Sequence, residues 1–374
     1  MDFCHTILTW YQNNKRELPW RESSDPYKIW ISEVILQQTR VEQGLPYYFR
    51  FLEAFPDIKA LAGASEQDVL YTWKGLGYYS RARNMHHTAQ IVMSAHKGNF
   101  PGNYTELIKL KGIGDYTAAA ISSICQNEVH PAVDGNVIRV ISRFFGVTEK
   151  SGSLQRKIIL DISRENISKD NPGEYNQAVM EFGAKLCTPA APGCSICDLR
   201  LSCYAFKNKM TTLLPSKKEK IKRKTRYFNY FHFITPDGKV VIQKRTKKDI
   251  WLNLWEFPLV EANILFKPEE AIALLVENPD IVISPESQTV QAGSQASQTH
   301  NYQVSNVYDF IDYYDYKHQL THQILEIRFL SFRVKTILSE LNNNKVLANP
   351  HEHIYPLPRV IEKFLERNDY FFWH

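Results

Sequence analysis

The apolar residues in the first part of the chain recur at helical spacing. Segments 26–41 (PYKIWISEVILQQTRV), 104–126 (YTELIKLKGIGDYTAAAISSICQ) and 136–146 (NVIRVISRFFG) place apolar side chains three and four residues apart. Glycine and proline residues separate these segments, as they do at helix ends. The pattern predicts an all-α domain over residues 1–205.

Further along, the spacing becomes that of β-strands. Residues 226–245 (RYFNYFHFITPDGKVVIQKR) contain two β-rich runs around a Pro-Asp-Gly turn, and 325–334 (LEIRFLSFRV) alternates with period two. Short amphipathic helices are predicted at 268–278 and 358–368. Residues 227–374 are therefore predicted to form an α+β domain, which makes the chain a multidomain protein.

One segment inside this second domain differs in composition from the rest. Residues 284–303 (SPESQTVQAGSQASQTHNYQ) are rich in Ser, Gln and Ala. Such composition favours a mobile loop over a packed element.

Positive charge is concentrated between the two domains. The chain has 45 Lys and Arg against 40 Asp and Glu, and residues 207–226 alone hold nine basic and one acidic residue, a local charge of +8. The remainder carries 36 basic and 39 acidic residues, or −3. Such a run is typical of a solvated linker, and it is also compatible with contacts to phosphates. We predict a basic linker over residues 206–226.

Length and composition exclude several classes of protein. A chain of 374 residues with 44% hydrophobic residues can bury two ordinary cores. It has no apolar run of eighteen residues, and its N-terminus lacks the pattern of a secretory signal, so we expect no membrane partner. The basic run is similar to a nuclear localisation signal, but the compact chain fits a bacterial cytoplasmic protein better.

Four of the six cysteines lie within residues 187–203 (CTPAAPGCSICDLRLSC), at the spacing C-x6-C-x2-C-x5-C. Zinc sites favour two close Cys pairs separated by a longer loop, and only one such pair is present here. A single compact loop of four thiolates suits a [4Fe–4S] cluster, with zinc as the alternative. The predicted ligands are Cys187, Cys194, Cys197 and Cys203.

A Gly-x-Gly turn lies between two predicted helical stretches in LKGIGDYTAAAI, residues 110–121. Gly112 and Gly114 let the backbone turn tightly and leave free amide groups at the start of the next helix. These amides can bind a DNA phosphate without reading its base. A plain interhelical turn is the alternative.

Two carboxylates are candidates for acid–base chemistry. Glu33 lies in a mostly apolar helical stripe, where burial would raise its pKa, unless it sits at the edge of the stripe and reaches solvent. Asp134 precedes a helix that starts near Asn136, where the helix dipole and free amides favour the anion, although such an Asp is commonly only a helix cap. An acid and an anion of this kind are what glycosidic cleavage requires. The sequence does not tell whether the two groups meet.

In combination with the cysteine loop, several segments of this chain resemble the MutY-type adenine DNA glycosylases, which are helix–hairpin–helix glycosylases with a [4Fe–4S] loop. These segments are LPWRESSDPYKIWISEVILQQTRV, WKGLGYYSRARN, LKGIGDYTAAAI, VDGNVIRV and YNQAVMEFGAKLC, and they run in order through about residues 16–203. The resemblance implies an enzyme that turns an adenine mispaired with 8-oxoguanine out of double-stranded DNA and hydrolyses it.

The resemblance also implies roles for individual residues. Glu33 would protonate the adenine and later handle the water, while Asp134, supported by Asn136, would stabilise the sugar cation. The positions that match the adenine pocket are Trp20, Arg21 and Gln177, and those that match residues wedging into the duplex are Gln38 and Tyr78.

Tyr116 indicates which of two related chemistries applies. In lyase-competent relatives this position, just before the Thr of GDYTA, carries a Lys that forms a Schiff base. A phenol cannot form one, so we predict a monofunctional glycosylase.

In the second domain, IWLNLWEFPLVE (250–261) resembles the strand that enters a Nudix-type fold, but no R-E-x-x-E-E helix follows it. A Mg²⁺ site and pyrophosphate hydrolysis are therefore not expected. The resemblance implies that Leu320, Thr321 and His322 recognise 8-oxoguanine, although the family commonly has Phe-Ser-His there. The linker has no extra cysteines, so we expect no zinc.

Two alternatives stay open at this point: an endonuclease III-like glycosylase and lyase for oxidised pyrimidines, and a non-catalytic DNA-damage binder. Tyr116 and the second domain argue against the first, and the pair Glu33 and Asp134 argues against the second. We expect a monomer in which the cluster loop is chiefly architectural and places Lys185 and Arg200 near the DNA backbone.

Overall fold

The computed structural model describes residues 2–216, 223–277, 308–334, 345–349, 352 and 354–367. The chain divides into two compact units, Met1–Lys220 and Ile221–His374. The predicted loop 284–303 lies outside the described residues. Among the described residues, no helix is long and apolar enough to cross a membrane.

The first unit is all-helical, as the hydrophobic periodicity predicts. Its helices are α1 (Phe3–Asn14), α2 (Pro26–Leu36), α3 (Val41–Ala54), α4 (Ile58–Gly63), α5 (Glu66–Thr72), α6 (Ser80–Ala95), α7 (Tyr104–Leu107), α8 (Asp115–Gln126), α9 (Gly135–Phe145), α10 (Gly152–Asn166), α11 (Pro172–Lys185) and α12 (Tyr204–Lys207).

Helix α11 is the central packing element of this unit. It contacts α1, α8 and α9, and apolar residues of α1, α9 and α11 share one core with Ile7, Ile141 and Phe182 among its members. The approach of α9 to α11 depends on Gly183, because a Cβ atom there would lie 2.7 Å from the Cβ of Asn136. This close contact brings the start of α9 against α11.

The segment 26–41, whose apolar residues have helical spacing, contains the end of one helix. Helix α2 ends at Leu36, and the chain turns through Gln38 before α3 begins at Val41. The periodicity continues across the break because both helices bury apolar side chains. Hydrogen bonds from Arg81 of α6 hold the end of α2.

The segment after α11 forms the cysteine loop, which contains a 3-10 turn at Cys194–Ile196 and leads into α12. The chain then stays packed on the first unit, since Leu214 is buried and its carbonyl oxygen accepts a hydrogen bond from Arg143. Part of the segment predicted as a linker therefore belongs to the helical unit.

The second unit is built on a mixed sheet of strand order β3-β2-β1-β6-β5, in which β4 pairs with β1 and β7 pairs with β2. Strands β1 and β6 are parallel, and the other pairs are antiparallel. The strands are β1 (Lys224–Ile234), β2 (Val240–Lys244), β3 (Trp255–Glu256), β4 (Leu259–Ala262), β5 (Tyr308–Gln319), β6 (Gln323–Val334) and β7 (Lys345–Ala348).

Each face of the sheet is covered by one helix. Helix α13 (Pro268–Glu277) packs through Ala271 and Leu275 on one face, and α14 (Arg359–Arg367) packs through Ile361 and Phe364 on the other. Because both faces are covered, most of the centre of β6 is buried. The structure confirms the hairpin β1–β2 and the two predicted helices.

Candidate active site

An open crevice of about 1120 Å³ in the first unit is lined by nine of the predicted site residues. Tyr78 and Gly112 are not among the residues that line it, and Leu320, Thr321 and His322 belong to the second unit. The predicted residues that line the crevice are Trp20, Arg21, Glu33, Gln38, Gly114, Tyr116, Asp134, Asn136 and Gln177.

Glu33 reaches the crevice from α2, whose other side chains are largely buried. The helix is fixed at its start by the Asp25 cap and by Pro26 in its first turn. Burial, together with the nearby charge of Asp134, raises the pKa of Glu33 to about 7. A hydrogen bond from Tyr116 and the positive charge of Arg21 act in the opposite direction. Glu33 can therefore hold a proton near neutral pH.

Asp134 caps α9. Its Oδ1 accepts from the amide of Val137 at 2.8 Å, and its Oδ2 accepts from Nδ2 of Asn136 at 2.7 Å. Burial raises the pKa of Asp134, and these hydrogen bonds and the charge of Arg139 oppose that rise. The cap position alone predicts the anion, whereas burial has the larger effect on this carboxyl and raises its pKa.

Tyr116, on α8, lies beside Glu33. Its hydroxyl is 3.3 Å from Sδ of Met180 and also forms a hydrogen bond with the Glu33 carboxyl. Burial, with the charges of Glu33 and Asp134, raises the pKa of this phenol well above its ordinary value. The phenol stays neutral and has one hydrogen to donate. Met180 was not identified from the sequence, because a Met in a helix is ordinarily a core residue.

The carboxylate that holds Arg21 was not identified from the sequence. The Glu181 side chain is only 1% exposed and accepts from Nη2 of Arg21 and Nη2 of Arg16, both at 2.8 Å. Burial acts to raise the pKa of Glu181. The hydrogen bonds from Arg16 and Arg21 outweigh burial and lower this pKa to about 2. Glu181 follows Gln177 by four residues on α11, so helical spacing could have placed it on the same face.

The remaining pocket residues are held by aromatic side chains. Oε1 of Gln177 accepts from the Tyr11 hydroxyl at 3.1 Å, and the same Tyr11 ring lies 5.3 Å below the guanidinium of Arg21. Trp20 is buried, with its ring centroid 5.1 Å from that of Tyr48.

Asn136 is linked to the cysteine loop through Arg139. Nη2 of Arg139 donates to Oδ1 of Asn136 at 2.8 Å, and its Nε donates to the carbonyl oxygen of Cys187 at 2.7 Å. Arg143, one turn later, donates to the carbonyl oxygens of Thr188 and Pro189. Two arginines four residues apart in the otherwise apolar 136–146 segment are a signal that the sequence contained.

The four predicted thiols, those of Cys187, Cys194, Cys197 and Cys203, line one small cavity. In the ranges that the structure describes, no group of three or more Cys, His, Asp and Glu side chains is placed to hold a metal ion. Burial, supported by the charges of the other three thiols, raises the pKa of Cys197 to about 11. Sulfurs spread around a small cavity fit a cluster of several metal atoms.

One of the two hairpin glycines has a backbone conformation that favours glycine. Gly112 has a φ of +83°, and a Cβ atom there would lie 2.8 Å from the Cβ of Asn84. Gly114 caps α8 without a side chain, so the first amides of α8 have no side-chain cap. The stretch before the turn is helical only over one turn, α7.

The remaining predicted DNA contacts lie on the surface. Gln38 and Tyr78 are exposed. Lys185 donates to the carbonyl oxygen of Asn14, and Arg200 donates to that of Ser195.

Leu320, Thr321 and His322 form the turn between β5 and β6. The amide of Leu320 donates to the carbonyl oxygen of Gln323 at 2.9 Å, and the carbonyl oxygen of His322 accepts from the amide of Lys224 at 3.3 Å. The Leu320 side chain packs against the core of the second unit. These contacts fix the turn on the sheet.

Residues 31–164 match the model of the HhH-GPD superfamily of base excision DNA repair proteins, and residues 229–367 match that of the NUDIX domain. The chain is 34% identical over 373 residues to the adenine DNA glycosylase of Buchnera aphidicola from Acyrthosiphon pisum, covering 97% of each chain. It is 37% identical over 270 residues to that of Buchnera aphidicola from Schizaphis graminum, covering 70% of this chain and 76% of the relative.

Among solved structures, a thermostable thymine-DNA glycosylase is similar, with a TM-score of 0.51 and 27% identity, over 55% of this chain and 95% of that chain. It covers about the length of the helical unit alone. The match to the Buchnera protein spans both units. The chain therefore belongs to the adenine DNA glycosylase family of the MutY type.

Proposed function

We propose that this protein removes adenine from double-stranded DNA where it is paired with 8-oxoguanine or guanine, by hydrolysis and without strand cleavage. The observation that carries the proposal is that Glu33 and Asp134 line one crevice, close enough for the charge of Asp134 to raise the pKa of Glu33. The membership of the adenine DNA glycosylase family supports the choice of base.

The two carboxyl groups divide the work of cleaving one glycosidic bond. Protonated Glu33 gives its proton to a ring nitrogen of the adenine, so that the bonding electron pair leaves with a neutral base. The sugar then carries an oxocarbenium-like positive charge, which the carboxylate of Asp134 stabilises. Water adds to the sugar carbon and gives up a proton to Glu33, which restores the acid.

Asn136 and Tyr116 support these roles. Asn136 donates to Asp134 and is itself held by Arg139, so it keeps the carboxylate oriented toward the crevice. Tyr116 contacts Glu33 at a position where an amine would form a Schiff base with the sugar. The phenol supplies no such nucleophile, which supports hydrolysis without lyase chemistry.

Base recognition is assigned to Trp20, Arg21 and Gln177, all of which line the crevice. Glu181 keeps Arg21 in place through the 2.8 Å ion pair. Gln38 and Tyr78 are proposed to wedge into the duplex, as their exposure allows. The amides at Gly114, at the start of α8, are proposed to bind a phosphate after the Gly112 turn.

We further propose that Cys187, Cys194, Cys197 and Cys203 hold a [4Fe–4S] cluster, which when bound crosslinks the loop and gives it a fixed shape. The fit rests on four sulfurs around one cavity and on the contacts that Arg139 and Arg143 make with the loop backbone.

Recognition of the opposite base is assigned to the β5–β6 turn of the second unit. Leu320 offers an apolar side chain, Thr321 a hydroxyl and His322 an imidazole. Because the turn is held by backbone hydrogen bonds to the sheet, these side chains are presented on a fixed support.

Single-turnover release of adenine from a duplex with adenine opposite 8-oxoguanine tests the proposal. The wild-type protein should release adenine, and Glu33→Gln should lose the activity while it still binds the duplex. Release of oxidised pyrimidines with strand cleavage would favour an endonuclease III-like enzyme. Duplex binding with no base release would favour a damage binder.

A further inference from the structure

The two residues proposed as duplex wedges share an unusual backbone conformation. Gln38 has a φ of +60° and Tyr78 a φ of +47°, which is the left-handed region that side chains other than glycine rarely adopt. Holding a residue in this backbone conformation costs on the order of 1 kcal/mol or more of folding free energy. The surrounding contacts must therefore hold the residue in place.

Arg81, on α6, provides such contacts to the first of these segments. Its Nη1 lies 2.8, 3.2 and 2.6 Å from the carbonyl oxygens of Val34, Ile35 and Gln37, and its two hydrogens are shared among these three acceptors. Val34 and Ile35 belong to the last turn of α2 and Gln37 is its C-cap, where carbonyl groups run out of helical partners. The amide of Gln37 also donates to the carbonyl oxygen of Val34, at 3.3 Å. The guanidinium thus ends the helix directly before Gln38.

The same guanidinium holds the second segment. Its Nη2 donates to the carbonyl oxygens of Leu76 and Gly77 at 3.4 and 3.3 Å. Its carbon lies 5.0 Å from the Trp73 ring centroid and 5.6 Å from that of Tyr78. One planar cation therefore bridges the backbone before Gln38 and the backbone before Tyr78.

We propose that Arg81 is a positioning residue that fixes the spacing of Gln38 and Tyr78, so that both enter the duplex as one unit when the adenine is turned out. The inference rests on the proposed function, in which these two residues act as wedges. A flexible Lys cannot replace Arg81, because its single ammonium lacks the two-sided fork that reaches both segments.

The test uses a duplex with adenine opposite 8-oxoguanine and 2-aminopurine as the base next to the adenine, where fluorescence rises when stacking is lost. For Arg81→Lys, the fluorescence rise should be lost and the single-turnover rate should fall by about 10- to 100-fold, as expected for a misplaced active-site element. Affinity for an undamaged duplex should not change, because it depends on phosphate contacts.

Arg50→Lys is the matched control. Arg50 also donates to backbone carbonyls, those of Thr72 at the end of α5 and of Lys74 after it, and neither of these hydrogen bonds involves α2. This variant should behave as the wild type. Arg81→Lys with wild-type fluorescence and rate would overturn the inference. A wild-type protein that gives neither adenine release nor a fluorescence change would instead contradict the proposed function.

If Arg81→Lys does not fold, a double-mutant cycle gives the answer with Arg81 intact. The fold-loss in rate for the double variant should be smaller than the product of the fold-losses for Gln38→Ala and Tyr78→Ala. The reason is that either single change already disables the unit that the two residues share. Strictly multiplicative losses would overturn the inference.

Discussion

The Tyr116 hydroxyl lies 3.3 Å from the thioether sulfur of Met180 while it also forms a hydrogen bond with Glu33. A phenol has one hydrogen, so it cannot donate to both. When Glu33 is ionised, Tyr116 donates to the carboxylate. When Glu33 is protonated, the carboxyl donates to the phenol oxygen, and the phenol hydrogen can turn to Met180.

Met180→Leu should therefore lower the pKa of Glu33, because the protonated state loses the second acceptor. A weak hydrogen bond of about 0.5–1 kcal/mol corresponds to a shift of about half a pH unit. The measurement is the pH profile of single-turnover adenine release. Met85→Leu, a buried swap on α6, is the control and should leave the profile unchanged. An unshifted profile for Met180→Leu would contradict this account of Tyr116.

The activity should fall as the pH rises through about 7, the pKa of Glu33. The rate falls with rising pH because the reaction needs the protonated carboxyl of Glu33. Burial raises the pKa of that carboxyl into this range. Single-turnover rates measured across pH 5–9 should show this descending limb. A flat profile over that range would mean that Glu33 is not the acid.

Glu181→Ala should destabilise the first unit by about 3–5 kcal/mol, because it leaves the cations Arg16 and Arg21 without their buried partner. Urea unfolding measures the change. Glu42→Ala removes an exposed partner of Arg16 and should cost less than about 1 kcal/mol.

The stabilisation by Glu181 should also depend on pH in a defined direction. Its pKa is lowered in the folded protein, so its contribution is fully present above the ordinary value of 4.5 and is lost as the pH falls toward about 2. The difference in stability between wild type and Glu181→Ala should shrink over that window. A constant difference would contradict the ion-pair account.

Thr321→Val should reduce the preference for 8-oxoguanine over guanine in the opposite strand, because the methyl group keeps the shape of the side chain and removes the hydroxyl. Competition between the two duplexes under single-turnover conditions measures the preference. Loss of one hydrogen bond corresponds to about 3- to 10-fold. Equal losses on both duplexes would point to a structural effect.

Local patterns were sufficient for the elements of the fold but not for their contacts. Helical periodicity and the period-two strands predicted the class of both units and several of their elements, such as α9, β6 and α14, since these patterns reflect which faces are buried. The same periodicity does not show where α2 ends, because that end is contacted by Arg81 from α6, far away in sequence.

The site shows the same division. The resemblance to a family placed residues such as Glu33 and Asp134, which line one crevice, but it contained nothing about Glu181 or Met180. Their effects depend on side chains more than sixty residues away in sequence, Arg21 for Glu181 and Tyr116 for Met180. Burial, which acts on the pKa of Asp134 more strongly than its cap, is likewise a tertiary property.

The central claim is that Glu33 and Asp134 act together on one base–sugar bond. Single-turnover adenine release by Glu33→Gln, Asp134→Asn and the double variant tests it directly. Each single change should lower the rate by at least about 100-fold, and the double variant should be little worse than the poorer single one, because the groups work as a unit. If either single variant kept a rate near that of the wild type, with the protein folded and bound to the duplex, the claim would be contradicted.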